Sequence, residues 1–245
     1  GGSAFSDCSS LKQIIIPPFI TSIKNYSFDK CTSVLRVIIP SSVTSIGDYS
    51  FGGCSSLSQI IIPSSVTSIG EYAFIDCKSM KKITIPSTIT SIGRGAFSGC
   101  KLLQDILIPL NITSINDDVF CECSSLVHIS IPSSVTSIGN YSFSKCSSLL
   151  KIYIPNSVTS IGNHAFSECT MLSEICIPSS VTFMGDGTFY YCTSLVNVYI
   201  QSSAISIRKG FFYKCSSLRQ IFIPSSLKID VESLELQSNV TFIKF

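Results

Sequence analysis

One spacing constrains this chain more than any other feature. Cysteines stand at Cys8, Cys31, Cys54, Cys77, Cys100, Cys123, Cys146, Cys169, Cys192 and Cys215, each 23 residues after the last and with no insertion between them. A phenylalanine keeps the same step three residues earlier, from Phe5 to Phe212, and an isoleucine eight residues later, from Ile16 to Ile223. Proline follows that isoleucine in nine of ten units, Gln201 being the exception. A fixed period of this length marks a solenoid, in which each unit packs only against its neighbours.

The unit CSSLSQIIIPSSVTSIG from Cys54 to Gly70 shows how the coil is built. Apolar residues alternate with period two through Leu57, Ile60 and Ile62, which predicts a short strand with Gln59 and Ile61 on the opposite face. Pro63 has no amide hydrogen to give to a ladder and ends the strand. Val66 and Ile69 mark a second inward turn, and Gly70 is expected to take a positive φ, where glycine costs least. Seven inward positions per coil (Phe, Cys, Leu, Ile, Ile, Val, Ile) cannot be buried by one unit, but stacked neighbours can bury them. Stacking sets equivalent strands side by side at ~4.8 Å, so ten coils predict one parallel sheet and a body roughly 45–50 Å long.

Composition narrows the function classes. Of 245 residues, 45% are apolar and 13% charged, which excludes an intrinsically disordered chain. The net charge of +2 gives no overall field to attract nucleic acid. No stretch of ~18 apolar residues offers a membrane span, and no signal peptide is visible. The chain opens on Gly1 inside a repeat, with Ala4 and Phe5 already at the Ala-Phe step, so further repeats are expected ahead of it and the first coil is expected to expose an apolar end. At the other end Asp230 stands where isoleucine is expected, and Glu232 and Glu235 follow, so a solenoid over 1–229 and a degenerate last coil or cap over 230–245 are expected.

The unit core C-x-x-L-x-x-I-x-I-P-x-x-V-T-S-I-G-x-x-A-F resembles the BspA-like (Treponema pallidum type) leucine-rich repeat family over nearly the whole chain. The resemblance implies an α/β-type solenoid, mostly strand and irregular chain. It would be a right-handed leucine-rich-repeat superhelix of about ten coils, with its parallel sheet on the concave side. It also implies a cell-surface or secreted protein that adheres to host protein or glycan, and no catalytic residues. An intracellular scaffold for protein partners is the alternative.

Each repeat position becomes a column on the solenoid. One open-face column reads Gln13, Arg36, Gln59, Lys82, Asp105, His128, Lys151, Glu174, Asn197 and Gln220. Its neighbour reads Ile15, Ile38, Ile61, Thr84, Leu107, Ser130, Tyr153, Cys176, Tyr199 and Phe222. Two readings stay open. Branched and aromatic residues favour sheet surfaces in general, whereas contiguous exposed apolar groups beside polar ones mark interaction sites. On the second reading the ligand patch comprises His128, Lys151, Tyr153, Glu174, Cys176, Asn197, Tyr199 and Phe222. The Ile15–Ile38–Ile61 stretch, like the open N-terminal end, leaves room for homo-oligomerisation.

The cysteine column is read as buried free thiols. Cα atoms ~5 Å apart permit disulfides, but a linear array lacks the tetrahedral convergence of a zinc site, and free cysteine packs as a small apolar group. Cys121 and Cys176 fall outside the column. His128 and His164 occupy different repeat positions, so no catalytic set, metal site or cofactor is expected. Four N-x-S/T sequons, at Asn25, Asn111, Asn140 and Asn239, are glycan acceptors in a secreted eukaryotic setting. Tyr26, Tyr49, Tyr72 and Tyr141 recur two residues before the phenylalanine and are read as scaffold packing.

Overall fold

Three-residue strands and proline stops leave this chain one way to bury its isoleucines, which is to pair each coil with the next. The computed structural model describes residues 2–205, 210–227, 234, 236 and 240–245. The main ladder starts at Gln13–Ile15 and continues through Arg36–Ile38, Gln59–Ile61 and their equivalents to Gln220–Ile223. These ten strands bound nine full turns of a parallel solenoid. Register follows the repeat, with Gln13 opposite Arg36, His128 opposite Lys151 and Asn197 opposite Gln220. Backbone pairing runs in four stretches, the last including Thr241–Lys244.

A second parallel ladder, beyond the single sheet expected from the sequence, runs along the next limb. Its strands are only two residues long, from Ser22–Ile23 to Phe183–Met184. The T-S-I step is too short to announce a strand by alternation, and it pairs because its neighbours present the same backbone in the same register. The third limb returns through tight turns whose amides also reach the next coil. Tyr26, Phe28 and Lys30 N–H groups donate to the carbonyls of Asp48, Ser50 and Gly52 at 2.8, 2.9 and 2.6 Å. Nearly every limb therefore spends its backbone groups on a neighbouring coil, as buried peptide groups require.

The core is a set of columns running the length of the solenoid. Phe97, Cys100, Leu103, Ile106, Ile108, Ile112 and Ile115 are all buried, and the same seven positions are buried in the other central coils. Phenylalanine rings from Phe5 to Phe212 stack with centroids 5.4–5.9 Å apart. Each buried thiol from Cys31 onward donates to the carbonyl of the phenylalanine 26 residues before it; Cys54 reaches Phe28 and Cys215 reaches Phe189, at 3.3 and 3.1 Å. At the first coil the column ends are open: Phe5 is 51% exposed, Cys8 is exposed, and a cleft of about 700 Å³ is lined by Leu11, Ile14, Ile16, Ile20 and Phe28.

Gly70 does not have the positive φ expected of it. The left-handed residues fall in two other columns, one through Tyr26, Tyr49, Tyr72, Gly95 and Asp118, the other through Lys30, Gly53, Asp76, Gly99 and Glu122. Glycine is needed at 70 for space. A Cβ there would lie 2.6 Å from the Asp48 amide nitrogen, from its Oδ1 and from the Gly47 carbonyl carbon. Asp48 Oδ1 uses that gap to accept the Glu71 amide of the next coil at 2.8 Å. Asn140 accepts from the Asn163 amide, and Asn163 from the Asp186 amide, in the same way at 2.7 and 2.8 Å.

Thr241–Lys244 extends the main ladder, with Thr241 opposite Gln220, so residues after the last full repeat include one more strand. The boundary expected at 229/230, with Asp230, Glu232, Glu235 and Asn239, lies outside the described residues. Among the described residues no helix is long and apolar enough to cross a membrane.

Candidate recognition face

The strands of the main ladder fix their side chains in two sets. In Lys151–Tyr153 the central Ile152 is buried and its two neighbours are exposed, a pattern that holds from Gln13–Ile15 through Lys151–Tyr153. In the next three strands of the ladder the flanking residues are half-buried, apart from the exposed Cys176. A rigid ladder therefore presents two adjacent columns to solvent, with equivalent residues one coil apart. The eight residues singled out from the sequence all lie in these columns. His128 is opposite Lys151, Glu174 opposite Asn197, and Cys176 opposite Tyr199, itself opposite Phe222.

Specific contacts order part of this face. Lys151 Nζ donates to Glu174 Oε1 at 2.9 Å, across a junction between two stretches of the ladder. That hydrogen bond holds the Lys151 ammonium above its ordinary pKa. The rings of Tyr199 and Phe222 stack at 4.5 Å and 11°, making a flat apolar platform. Tyr153 is 69% exposed and stands apart from them, with the Cys176 strand between. The Cys176 thiol is exposed, and the part of it that is covered pushes its pKa up, so it carries less thiolate than a free cysteine.

Two apolar neighbours, Leu150 and Val196, are also exposed at the entry of these strands. Sequence reading passed over them because they sit one position ahead of the alternating run. Phe183 is a second omission: it is exposed on the second ladder, where every preceding coil has serine. Its signal was the break from T-S-I to T-F-M at Thr182–Met184.

The other sequence candidates serve the scaffold. Burial pushes the thiols of Cys54 and Cys215 up to about 12 and that of Cys121 up to about 11. All twelve cysteines are free. Among the described residues no group of three His, Cys, Asp or Glu side chains converges as a metal site. His164 occupies the tyrosine column and stacks on Tyr141 at 5.1 Å, while Tyr26, Tyr49 and Tyr72 stack at 4.9 Å. Among the described residues the three sequon amides are engaged. Asn25 Nδ2 donates to Asp48 Oδ2 at 3.0 Å, Asn111 Nδ2 to the Ser87 carbonyl at 2.7 Å, and Asn140 Nδ2 to Asp117 Oδ2 at 3.2 Å.

Comparison with solved structures finds the same architecture in bacterial proteins. A leucine-rich repeat protein from Bacteroides ovatus is 33% identical with a TM-score of 0.86, over 100% of this chain and 65% of its own. The chain thus spans less than two thirds of that relative. The Treponema pallidum leucine-rich repeat protein is 32% identical with a TM-score of 0.59, over 60% of this chain and 69% of its own. A leucine-rich cell surface protein from Faecalibacterium prausnitzii is 26% identical with a TM-score of 0.53, over 96% and 87%. None of these names is that of an enzyme. A comparison with curated protein sequences finds no match. A profile for the BspA type leucine-rich repeat region, six copies long, matches residues 1–127 and again 113–241. Fold, repeat and profile agree, and the chain belongs to the BspA-type leucine-rich repeat family.

Proposed function

We propose that this chain is a recognition module of a cell-surface or secreted protein, which adheres to a host protein or glycan through the open face of its main ladder. The observation that carries the reading is the aromatic and polar patch of the later coils: the exposed Tyr153, the stacked Tyr199–Phe222 pair and the Lys151–Glu174 ion pair. Aromatic anchors on a rigid scaffold give contact area at little entropic cost, and polar neighbours set orientation. The cell-surface name of the Faecalibacterium relative supports the location. The module needs no catalysis, because binding is its whole task.

The direct test is Tyr153→Ala with Tyr199→Ala in one chain, assayed on extracellular-matrix proteins and on a glycan array. Binding to whatever the parent chain captures is expected to be abolished while the chain stays folded, with stability lowered by only about 1 kcal/mol through loss of the Tyr199–Phe222 stack. Retained binding would remove the patch from consideration. Protease treatment of intact cells should release peptides of this chain into the supernatant. Abundant protein in the lysate with none released would favour the second reading, an intracellular scaffold. The twelve free cysteines speak for that alternative, because unpaired thiols are the rule in reducing compartments.

A further inference from the structure

The near-zero net charge of the chain hides a separation of charge that only the stacking of coils creates. In the first four coils the open face and its strand entries carry Lys12, Arg36, Lys81 and Lys82, all exposed. No acid stands on this face before Asp105. The acids of the same coils, Asp7, Asp29, Asp48, Glu71 and Asp76, all lie on the third limb, on the other side of the core. Among the described residues none of the four cations has an ion-pair partner. Beside them runs an aliphatic column, Ile15, Ile38 and Ile61, of which Ile15 is 65% and Ile61 77% exposed.

We infer that this N-terminal half of the open face is a second docking surface, separate from the aromatic patch, and that its partner is an acidic polypeptide segment carrying aliphatic side chains. Charge complementarity selects the sign: four unpartnered cations within four coils, each coil ~4.8 Å from the next, offer carboxylates a track of ~15 Å. The aliphatic column selects the class. A sulfated glycan would meet the cations but leave Ile15 and Ile61 facing water, whereas a peptide alternating acidic and branched residues covers both columns at once. A second copy of the same face is disfavoured, because it would bring Lys12, Arg36, Lys81 and Lys82 against like charges.

The test uses the whole chain and four probes: a fluorescein-labelled peptide of alternating glutamate and valine, polyglutamate, heparin, and phosphatidylserine-containing vesicles. The glutamate–valine peptide is expected to bind best and to weaken as salt rises. Reversing Arg36, Lys81 and Lys82 to glutamate should weaken it by about tenfold or more. Ile15→Ser with Ile61→Ser should weaken this peptide and leave polyglutamate unaffected. Tyr153→Ala with Tyr199→Ala should change neither, which separates this surface from the patch under Proposed function. Apart from the half-buried Tyr199 these side chains are exposed, so a far-UV circular dichroism melt unchanged in the charge-reversal and isoleucine variants, and only slightly lowered in the tyrosine pair, verifies folding. The inference is overturned if the peptide fails to bind or ignores the charge reversal. It is equally overturned if heparin or vesicles bind more tightly through the same three cations, or if sedimentation shows a dimer that Ile61→Ser dissolves.

Discussion

Replacing Phe97 by alanine tests the architecture where it is most exposed to refutation. The ring is fully buried and sits between Phe74 at 5.7 Å and Phe120 at 5.9 Å, nearly parallel to both. Its carbonyl accepts the Cys123 thiol at 3.2 Å. Truncating a buried phenylalanine costs ~3–5 kcal/mol, because transfer energy is lost and the surrounding column collapses only in part. Two ring contacts at ~0.5–1.5 kcal/mol each put the expected loss in the upper part of that range. Phe5→Ala is the internal control: the ring is 51% exposed and stacks on Phe28 alone, so its loss should be about 1 kcal/mol. Urea unfolding followed by far-UV circular dichroism under reducing conditions reads both. Because each coil is coupled only to its neighbours, Phe97→Ala should also broaden the transition by uncoupling the two halves. A loss below ~1 kcal/mol, or equal losses at 97 and 5, would mean that the phenylalanine column does not hold the coils together.

Four further outcomes follow from single columns. Gly70→Ala should cost ~1–3 kcal/mol by forcing Asp48 and Gly47 apart, whereas Gly53→Asp, in a left-handed column that already holds Asp76, should be far milder; equal effects in chemical denaturation would contradict the assignment. The buried Ser142 hydroxyl has no hydrogen-bond partner and Ala73, Ala96 and Ala165 fill the same column, so Ser142→Ala should raise stability by up to ~1 kcal/mol, checked by the urea midpoint. Thiol titration with an alkylating reagent should label Cys8 and Cys176 first, and the buried column only on unfolding. The folded Cys54 and Cys215 thiols titrate at about 12, above the unfolded value of ~8.5. Their contribution is therefore complete below pH ~8.5 and declines as pH rises from there toward 12. A stability that increases over that window would overturn the burial of the column.

Gly70 shows where reading from sequence runs short. The period identified a glycine-rich column, and a positive φ is the commonest reason for one. The structural reason is instead the passage of an Asx side chain from the previous coil, a contact between residues 23 apart that no local pattern reports. The true left-handed columns were illegible for the opposite cause: they hold tyrosine, histidine, aspartate, lysine and glycine, a mixture with no single-residue signature. The open face of the main ladder was more legible, since alternation within three residues separates Ile152 from Lys151 and Tyr153. Leu150 and Val196 escaped because they sit one position ahead of the alternating run, and Phe183 because it belongs to a two-residue strand too short to show alternation.

The sequence by itself determined the repeat, the coil length, the parallel register and the inward set from Phe to Ile, because a fixed period with seven apolar positions can be buried in only one stacking. It also assigned Tyr153, Tyr199 and Phe222 to one column, since a 23-residue step translates directly into neighbourhood. Only the tertiary structure decided which residues touch across coils. The Lys151–Glu174 pair, the Tyr199–Phe222 stack, the thiols bonded to phenylalanine carbonyls and the cationic strip from Lys12 to Lys82 are all properties of the space between coils. A linear pattern states which positions recur; the distance and direction between recurrences are fixed by packing, and charge, burial and hydrogen bonding depend on those distances.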